Sequence, residues 1–269
     1  MQQIDLTEAV RMETVGHSSK GNQPKWQAED YWYKADHMGY EALAEVLVSR
    51  LLAYSNIQNY VSYDPILIRI GNRTLNGCRS RSFQGEKESL IPLERLYRAY
   101  RGESLAKKLA ELSSPEEQIS FAVDFAEDAT ELTGFGQYLN TLLELDAFIL
   151  NEDRHTNNIA VLRNEETGAF RLCPIFDNGL SFLSDITDYP FHGDLFEQIQ
   201  RVEAKPFSRD FMEQLEAGTS LYGSQLHFHF SRGEIAEILD ELTEYYPEET
   251  RSRVEKVLRE QMRKFQYMF

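Results

Sequence analysis

An apolar helical segment that ends abruptly in a polar cluster constrains this chain more than any other feature. Residues 145–158 read LDAFILNEDRHTNN, so an apolar run stops at Leu150 and Asn, Glu, Asp, Arg and His side chains follow at once. A second acidic turn, Asp177-Asn178-Gly179, comes shortly afterwards. This polar cluster lies between an apolar helix and an apolar strand. An ordinary solvent-exposed loop does not require so many polar side chains at such a position. The pattern therefore indicates a site.

A predicted β-hairpin separates the two polar loops. Residues 159–163 and 170–173 have strand composition and flank a turn at 164–168. Because a hairpin returns its ends side by side, we expect both loops to face one ligand. In phosphoryl transfer, one Asp orients a hydroxyl nucleophile, and an Asn and a second Asp hold the metal at the nucleotide phosphates. Asp153, Asn158 and Asp177 match these three roles, so we predict an enzyme that uses ATP and Mg²⁺.

A candidate phosphate-binding lysine precedes these loops. Lys34 lies in the strand-like run Tyr-Trp-Tyr-Lys-Ala, and residues 40–53 then show helical spacing and carry Glu41 and Glu45. Kinases pair a strand lysine with a helix glutamate to hold a cation against the phosphates. The two glutamates are one turn apart on the same face, so the sequence does not choose between them. Glu45 is favoured because its neighbours are more apolar.

Residues 16–23 are small and polar, contain glycine and are predicted to form a turn that covers the phosphates with backbone N–H groups. The candidate contacts there are Gly16, Ser18, Ser19 and Gly21. The turn lacks a GxGxxG or Walker pattern, so a plain polar turn is the competing interpretation. His155, in the first polar loop, is a further candidate contact to the nucleotide.

Strand patterns dominate about the first 83 residues and helical patterns dominate the rest. The order predicts an α+β fold with a small sheet-rich lobe at residues 1–88 and a larger helical lobe at 89–269. A polar connection at 84–88 would be the hinge, and Ser89 is predicted to cap a helix over 90–101. The cleft between two lobes is the natural place for a ligand.

Composition excludes several classes of function. The net charge of −16 over 269 residues argues against direct binding to nucleic acid or to an anionic membrane surface. Neither a secretory signal nor an apolar run of about 18 residues is visible. The only cysteines, Cys78 and Cys173, lie in strand-like runs and are expected to be buried thiols in a reducing compartment. We therefore expect a cytoplasmic protein.

These features together resemble the HipA-like serine/threonine kinases, a bacterial family with a divergent bilobal protein-kinase fold. NEDRHTNN is similar to the family's N-x-D-x-H-x-x-N catalytic loop, and FDNG stands where the metal-binding Asp lies. The order of loops, strand and helix is also shared, over about residues 13–180. The resemblance implies that Asp153 is the catalytic base, that Asn158 and Asp177 bind the metal, and that Lys34 contacts phosphates.

A departure from the family affects the expected partners. Full-length HipA toxins carry an additional N-terminal subdomain, whereas this chain looks more like the compact members. We expect a protein substrate of unknown identity, and an antitoxin-type or regulatory partner only as a secondary possibility. Serines near the nucleotide loop can be autophosphorylation sites in this family, which makes Ser18 and Ser19 candidates by analogy.

Two other functions are compatible with the same residues. Related folds phosphorylate the hydroxyl groups of lipids or small molecules, although the acidic charge disfavours a lipid substrate. A nucleotide-binding pseudokinase that acts as a binding module is the third interpretation. The presence of Lys34, Asp153, Asn158 and Asp177 together speaks against a pseudokinase.

Overall fold

The computed structural model describes residues 2–12 and 23–269. A six-stranded sheet forms most of the first part of the chain, with the order β1-β5-β6-β4-β3-β2. Its strands are β1 (Gln3–Asp5), β2 (Arg11–Met12), β3 (Lys25–Ala28), β4 (Tyr31–Ala35), β5 (Asp64–Ile70) and β6 (Arg73–Arg81). Each neighbouring pair is antiparallel except β1 and β5, which are parallel. The sheet places β4, with Lys34, between β3 and β6.

A second sheet and most of the helices follow. The sheet has the order β7-β8-β9, with β7 at Glu88–Pro92, β8 at Ala160–Asn164 and β9 at Phe170–Leu172. The helices are α1 (Glu41–Ala53), α2 (Leu93–Arg101), α3 (Leu105–Leu109), α4 (Pro115–Thr130), α5 (Phe135–Ile149), α6 (Leu195–Arg201), α7 (Phe211–Tyr222), α8 (Arg232–Glu241) and α9 (Glu248–Lys264). The predicted mixture of strands first and helices later is therefore present.

Helix α1 belongs to the large hydrophobic core rather than to the sheet alone. Its Leu43, Leu47 and Leu51 are fully buried in the cluster that also contains Phe148 of α5 and Phe228. A smaller cluster, which includes Trp26 and Ile68, packs on the six-stranded sheet. Because α1 shares its core with the C-terminal helices, the helix is held in place relative to both polar loops. The predicted division into residues 1–88 and 89–269 stays a prediction.

The prediction of a helix capped by Ser89 is wrong over its first turn. Residues 88–92 form β7, in which Leu90 faces Leu162 and Ile91 faces Val161 of β8. Pro92 explains the difference, because a residue that precedes proline is driven away from helical geometry. The helix starts one residue after this proline, at Leu93. Pairing with β8 thus determines that residues 88–92 form a strand, which the local sequence pattern did not indicate.

Local signals in the sequence mark the starts of two helices. Ser114 accepts a hydrogen bond from the Glu117 N–H at the start of α4, and Ser231 with Glu234 forms a capping box at α8. Helices α3, α6 and α7 were not predicted, since they are short or weakly patterned. The strand patterns of the first 83 residues include one at 8–15, and the strand that the described residues contain there is β2.

Both cysteines are buried free thiols, as the sequence predicted. Within residues 2–12 and 23–269, no helix has the length and apolar character needed to span a membrane.

Candidate active site

Lys34 joins three separate parts of the chain. Its ammonium group donates hydrogen bonds to Glu45 Oε1 on α1 and, over 2.7 Å, to Asp177 Oδ1 in the acidic turn. Glu45 is completely buried, and its Oε2 accepts a hydrogen bond of 3.0 Å from the Asn178 N–H. A strand lysine, a helix glutamate and the second polar loop therefore meet at one point.

Glu41 has a different partner from the one predicted for it. Its carboxylate accepts hydrogen bonds from the backbone N–H groups of His37, Met38 and Gly39, over 3.2, 2.7 and 3.1 Å. These bonds stabilise the chain that leads into α1. Of the two candidate glutamates, Glu45 is the one that contacts Lys34, and a contact of Glu41 with the nucleotide stays a prediction.

Lys25 is a second cation at the same point, and the sequence analysis missed it. It lies directly opposite Lys34 in the antiparallel pair of β3 and β4, with its Nζ 3.5 Å from Asp177 Oδ1. Like charges directly opposite each other destabilise a sheet unless they are compensated. Here Asp177 and Glu45 compensate them. The signal available in the sequence was a lysine in each of two adjacent predicted strands.

The charges of this cluster depend on one another. Burial acts to raise the pKa of Asp177, but the ammonium groups of Lys25 and Lys34 outweigh it and hold that pKa well below its usual range. Burial likewise opposes the charge on Lys34, yet Asp177 and Glu45 raise the pKa of Lys34 well above its usual value. Asp177 is thus an ionised carboxylate, and Lys34 is a fixed positive charge.

Arg154 connects the two polar loops, and sequence reasoning missed it as well. Its guanidinium is fully buried and binds both carboxylate oxygens of Asp146 on α5, over 2.9 and 3.0 Å. It also donates to the Asn158 and Phe176 carbonyl oxygens and to Asn178 Oδ1. A planar group with five donors suits this kind of bridge. The network fixes the spacing between the loop of Asp153 and the turn of Asp177.

The loop that carries Asp153 is closed by its own side chains. The Asp153 N–H donates to Asn151 Oδ1 over 3.1 Å, and the Asp153 carbonyl oxygen accepts from Asn158 Nδ2 over 2.9 Å. The carboxylate accepts a hydrogen bond of 3.2 Å from Lys205 Nζ at Oδ1, while Oδ2 lies 3.8 Å from His155 Nε2. Burial raises the pKa of Asp153, although His155 and Lys205 act in the opposite direction.

The predicted metal ligands form only part of a coordination shell. Asn158 uses its amide nitrogen within the loop, so its amide oxygen is the atom that can face a cation. Among the residues that the structure describes, no group of three or more His, Cys, Asp or Glu could hold a metal ion. Mg²⁺ in nucleotide sites commonly takes one or two carboxylates and completes its shell with phosphate oxygens and water. The donor set at Asn158 and Asp177 therefore fits Mg²⁺ that arrives with a nucleotide.

A cavity of about 240 Å³ opens next to the Lys34 cluster, between the six-stranded sheet and the second sheet. It is lined by Lys25, Trp32, Lys34, Tyr63, Ser80, Phe83, Gln84, Leu90, Phe176 and Asp177. The charged residues lie together, and the remaining walls are mainly aromatic, with the Phe83 and Phe176 ring centroids 5.7 Å apart. Such a cavity suits a flat apolar ring attached to an anionic tail.

Two larger surface cavities, of about 900 and 960 Å³, lie away from this cluster. Neither contains Lys34, Asp153 or Asp177 in its lining. We therefore place the candidate site at the smaller cavity, whose lining contains Lys25, Lys34 and Asp177, while the loop of Asp153 is joined to the Asp177 turn through Arg154. The predicted nucleotide-loop residues Gly16, Ser18, Ser19 and Gly21 lie outside the described residues.

Comparison with solved structures gives a clear similarity in fold. The proinflammatory kinase CtkA of Helicobacter pylori superposes with a TM-score of 0.67 at 16% sequence identity, over 98% of this chain and 96% of CtkA. The fold is thus similar to that of a kinase. A chain of the HipA–HipB–operator DNA complex of Shewanella oneidensis MR-1 gives a TM-score of 0.44 at 15% identity, over 94% of this chain and 57% of that one. No protein-family model matches the sequence, and the search of curated proteins gave no match.

The likeness to CtkA covers nearly the whole of both chains, so it concerns the entire architecture and not one motif. The predicted mixed α+β class is confirmed at this level. At 16% identity, the similarity to CtkA is evidence for a similar fold only. The chemistry must be argued from the residues of this chain.

Proposed function

We propose that the protein is an ATP- and Mg²⁺-dependent phosphotransferase with a divergent bilobal kinase fold, acting as a serine/threonine protein kinase of HipA-like type. One observation carries the proposal. Lys34 contacts Glu45 and Asp177 at the same time, at the charged end of an aromatic cavity. This arrangement matches the lysine–glutamate pair and metal-loop aspartate of nucleotide-dependent kinases, and the match supports the proposal.

Different parts of the cavity would bind different parts of ATP. The aromatic walls formed by Trp32, Phe83 and Phe176 would hold the base, and Lys25 and Lys34 would neutralise phosphate oxygens. Asn158 and Asp177 would hold the metal ion, which when bound supplies charge neutralisation at the phosphates. Lys25 and Lys34 share Asp177 between them, so an incoming phosphate competes with that carboxylate for the two ammonium groups.

Asp153 would act on the acceptor. In the transfer, the bond between the γ-phosphorus and the oxygen that leaves with ADP breaks, and a new bond forms from the γ-phosphorus to the acceptor hydroxyl oxygen. The hydroxyl proton passes to the Asp153 carboxylate. Catalysis in such reactions rests mainly on positioning and electrostatic stabilisation. The buried Arg154 network supports this by fixing the Asp153 loop against the Asp177 turn.

Transfer of label from γ-labelled ATP with magnesium tests the proposal. The variant is Asp153→Asn, and the matched control is Asp128→Asn, an exposed aspartate on α4. We expect the wild type and the control to label protein, alone or with a generic basic protein as acceptor. We expect Asp153→Asn to lose about 100-fold or more, which is the scale of general-base catalysis.

The same assay separates the competing functions. If ATP is turned over only with small hydroxyl compounds, the protein is a small-molecule kinase and not a protein kinase. Nucleotide binding without turnover would identify a pseudokinase. Wild-type activity in Asp153→Asn would remove Asp153 from the mechanism. An antitoxin-type partner, autophosphorylation at Ser18 or Ser19 and a cytoplasmic location stay predictions from the sequence.

A further inference from the structure

Lys205 reaches the Asp153 carboxylate from a distant part of the chain. It lies in the segment between α6 and α7, residues 202–210, and its Nζ donates to Asp153 Oδ1 over 3.2 Å. None of the motifs in the two polar loops includes this residue. The contact therefore adds a group to the candidate site that no local pattern indicates.

The backbone around Lys205 is anchored although its side chain is partly exposed. The buried side chains that anchor it are those of Val202, Ala204 and Phe207. The Ala204 N–H donates to the Arg209 carbonyl oxygen over 2.9 Å, and the Phe207 N–H donates to Gln214 Oε1 over 3.0 Å. Lys205 keeps 42% of its side chain exposed. The anchored backbone thus directs the Lys205 side chain towards the Asp153 carboxylate.

The hydrogen bond from Lys205 sets the orientation of the Asp153 carboxylate. The torsion that rotates a carboxylate has broad, roughly two-fold preferences, so the side chain itself sets no sharp orientation. The other hydrogen bonds of Asp153 described above involve its backbone N–H and carbonyl oxygen, and His155 Nε2 lies 3.8 Å from Oδ2, beyond hydrogen-bond distance, so they do not fix the carboxylate. With Lys205 bound to Oδ1, the second oxygen, Oδ2, has His155 Nε2 as a neighbour at 3.8 Å and accepts no hydrogen bond from it, so Oδ2 can accept one from an acceptor hydroxyl.

A purely structural role does not account for the contact. A partly exposed ion pair contributes about 0–1 kcal/mol to stability, because water competes for both groups. The Lys205 side chain reaches the buried Asp153 from the solvent and stays 42% exposed itself, so water competes for its ammonium group. The effect of the pair must then lie mainly in orientation.

We infer that Lys205 is a positioning residue that holds the Asp153 carboxylate with Oδ2 directed at the substrate hydroxyl. The inference rests on the proposed function, since it assigns Lys205 a part in the same transfer. A misplacement of about 1 Å at a reacting group can cost about 100-fold in rate. Loss of Lys205 should therefore lower the rate of the chemical step and leave nucleotide binding in place.

Steady-state transfer by the full chain tests this, with the variants Lys205→Met, Lys205→Gln and Lys205→Arg. Arg209→Met is the control, because Arg209 lies in the same segment and its side chain is 82% exposed. We expect kcat to fall about 10- to 100-fold in the Met and Gln variants, while KM for ATP changes less than about twofold. Arginine should restore most of the rate, and the control should match the wild type.

The outcomes distinguish this inference from the proposed function. An inactive wild type would overturn the proposed function, and the inference with it. An active wild type with unchanged kcat in Lys205→Met and Lys205→Gln would overturn the inference alone. An equal loss in the Arg and Met variants, or a higher KM at unchanged kcat, would also contradict positioning by the Lys205 charge. Unfolding midpoints of the variants, expected to equal that of the wild type, show that the protein measured is folded.

Discussion

At the scale of single residues, the site depends on charges that are buried and paired. Arg154 and Asp146 have no exposed side-chain surface, and they form a pair with two hydrogen bonds. Removing one partner of a buried pair leaves the other charge uncompensated, which costs far more than the loss of a surface pair. The stability of the loop that carries Asp153 should thus be sensitive to this one arginine.

We predict that Arg154→Met lowers the free energy of unfolding by about 3–5 kcal/mol. Urea denaturation of the purified protein measures this. Arg259→Met is the control, because Arg259 is half exposed and pairs with Glu255 on the surface of α9; its change should stay within about 1 kcal/mol. Equal, small losses in both variants would contradict the role of the buried network.

A second residue-scale prediction concerns pH. Burial raises the pKa of Asp36 well above its usual value, the Ala42 N–H bond lowers it, nearby Glu41 raises it and the Tyr246 hydroxyl lowers it. The folded state therefore holds the Asp36 proton more tightly than the unfolded chain does. This contribution to stability is present below the usual aspartate pKa, near pH 4, and is lost as the pH rises through the raised value.

Asp36→Asn should remove this dependence. The amide oxygen can still accept from the Ala42 N–H, and the amide nitrogen can donate to the Tyr246 hydroxyl oxygen. We predict that the stability of the variant relative to the wild type increases between about pH 4 and pH 7. Urea unfolding at a series of pH values measures it. A difference that is constant with pH would show that Asp36 does not titrate differently on folding.

At the scale of elements, the chain that follows the Asp177 turn packs on the start of α1. The Tyr40 N–H donates to the Ser184 carbonyl oxygen, and the Ile186 N–H donates to the Met38 carbonyl oxygen, over 3.3 and 3.1 Å. The Tyr40 hydroxyl donates to the Phe182 carbonyl oxygen over 2.8 Å. These bonds attach the segment that follows the acidic turn to the helix that carries Glu45, so they connect the two sides of the Lys34 cluster.

Gly39 allows this close approach. A Cβ atom at Gly39 would overlap the Ser184 carbonyl oxygen, which belongs to the backbone and cannot rotate away. We predict that Gly39→Ala lowers the free energy of unfolding by about 1–3 kcal/mol and reduces phosphoryl transfer. Gly85→Ala is the control, since the nearest atom to its added Cβ is a Glu88 side-chain oxygen at 3.4 Å. Urea unfolding and the transfer assay on both variants check this. Equal stability in the two would contradict the tight contact.

The sequence predicted elements and local loops better than long-range pairs. Lys34, Asp153 and Asp177 lie in short motifs with a local pattern, so their placement in a strand and two loops could be predicted. Arg154 reaches Phe176 and Asn178 in the second loop, and Lys205 reaches Asp153, and no local period encodes these distant contacts. The strand β7 was missed for the same reason, because its partner β8 lies well downstream in the chain.

At the scale of the whole molecule, the acidity of the chain contrasts with its candidate site. The net charge is −16, yet two lysines point at one carboxylate beside the cavity. A molecule with this charge repels free ATP, and bound magnesium reduces that repulsion. The fold alone, shared with CtkA over nearly the full chain, does not decide which anion the lysines receive.

The central claim is that the Lys34–Asp177 cluster binds the phosphates of ATP together with magnesium. Calorimetric titration of the wild type and Asp177→Asn, with ATP in the presence and absence of magnesium, tests it most directly. We predict that magnesium strengthens ATP binding to the wild type and no longer does so in Asp177→Asn, whose released lysines still bind metal-free ATP. Equal losses of affinity with and without magnesium, or no binding by the wild type, would contradict the account.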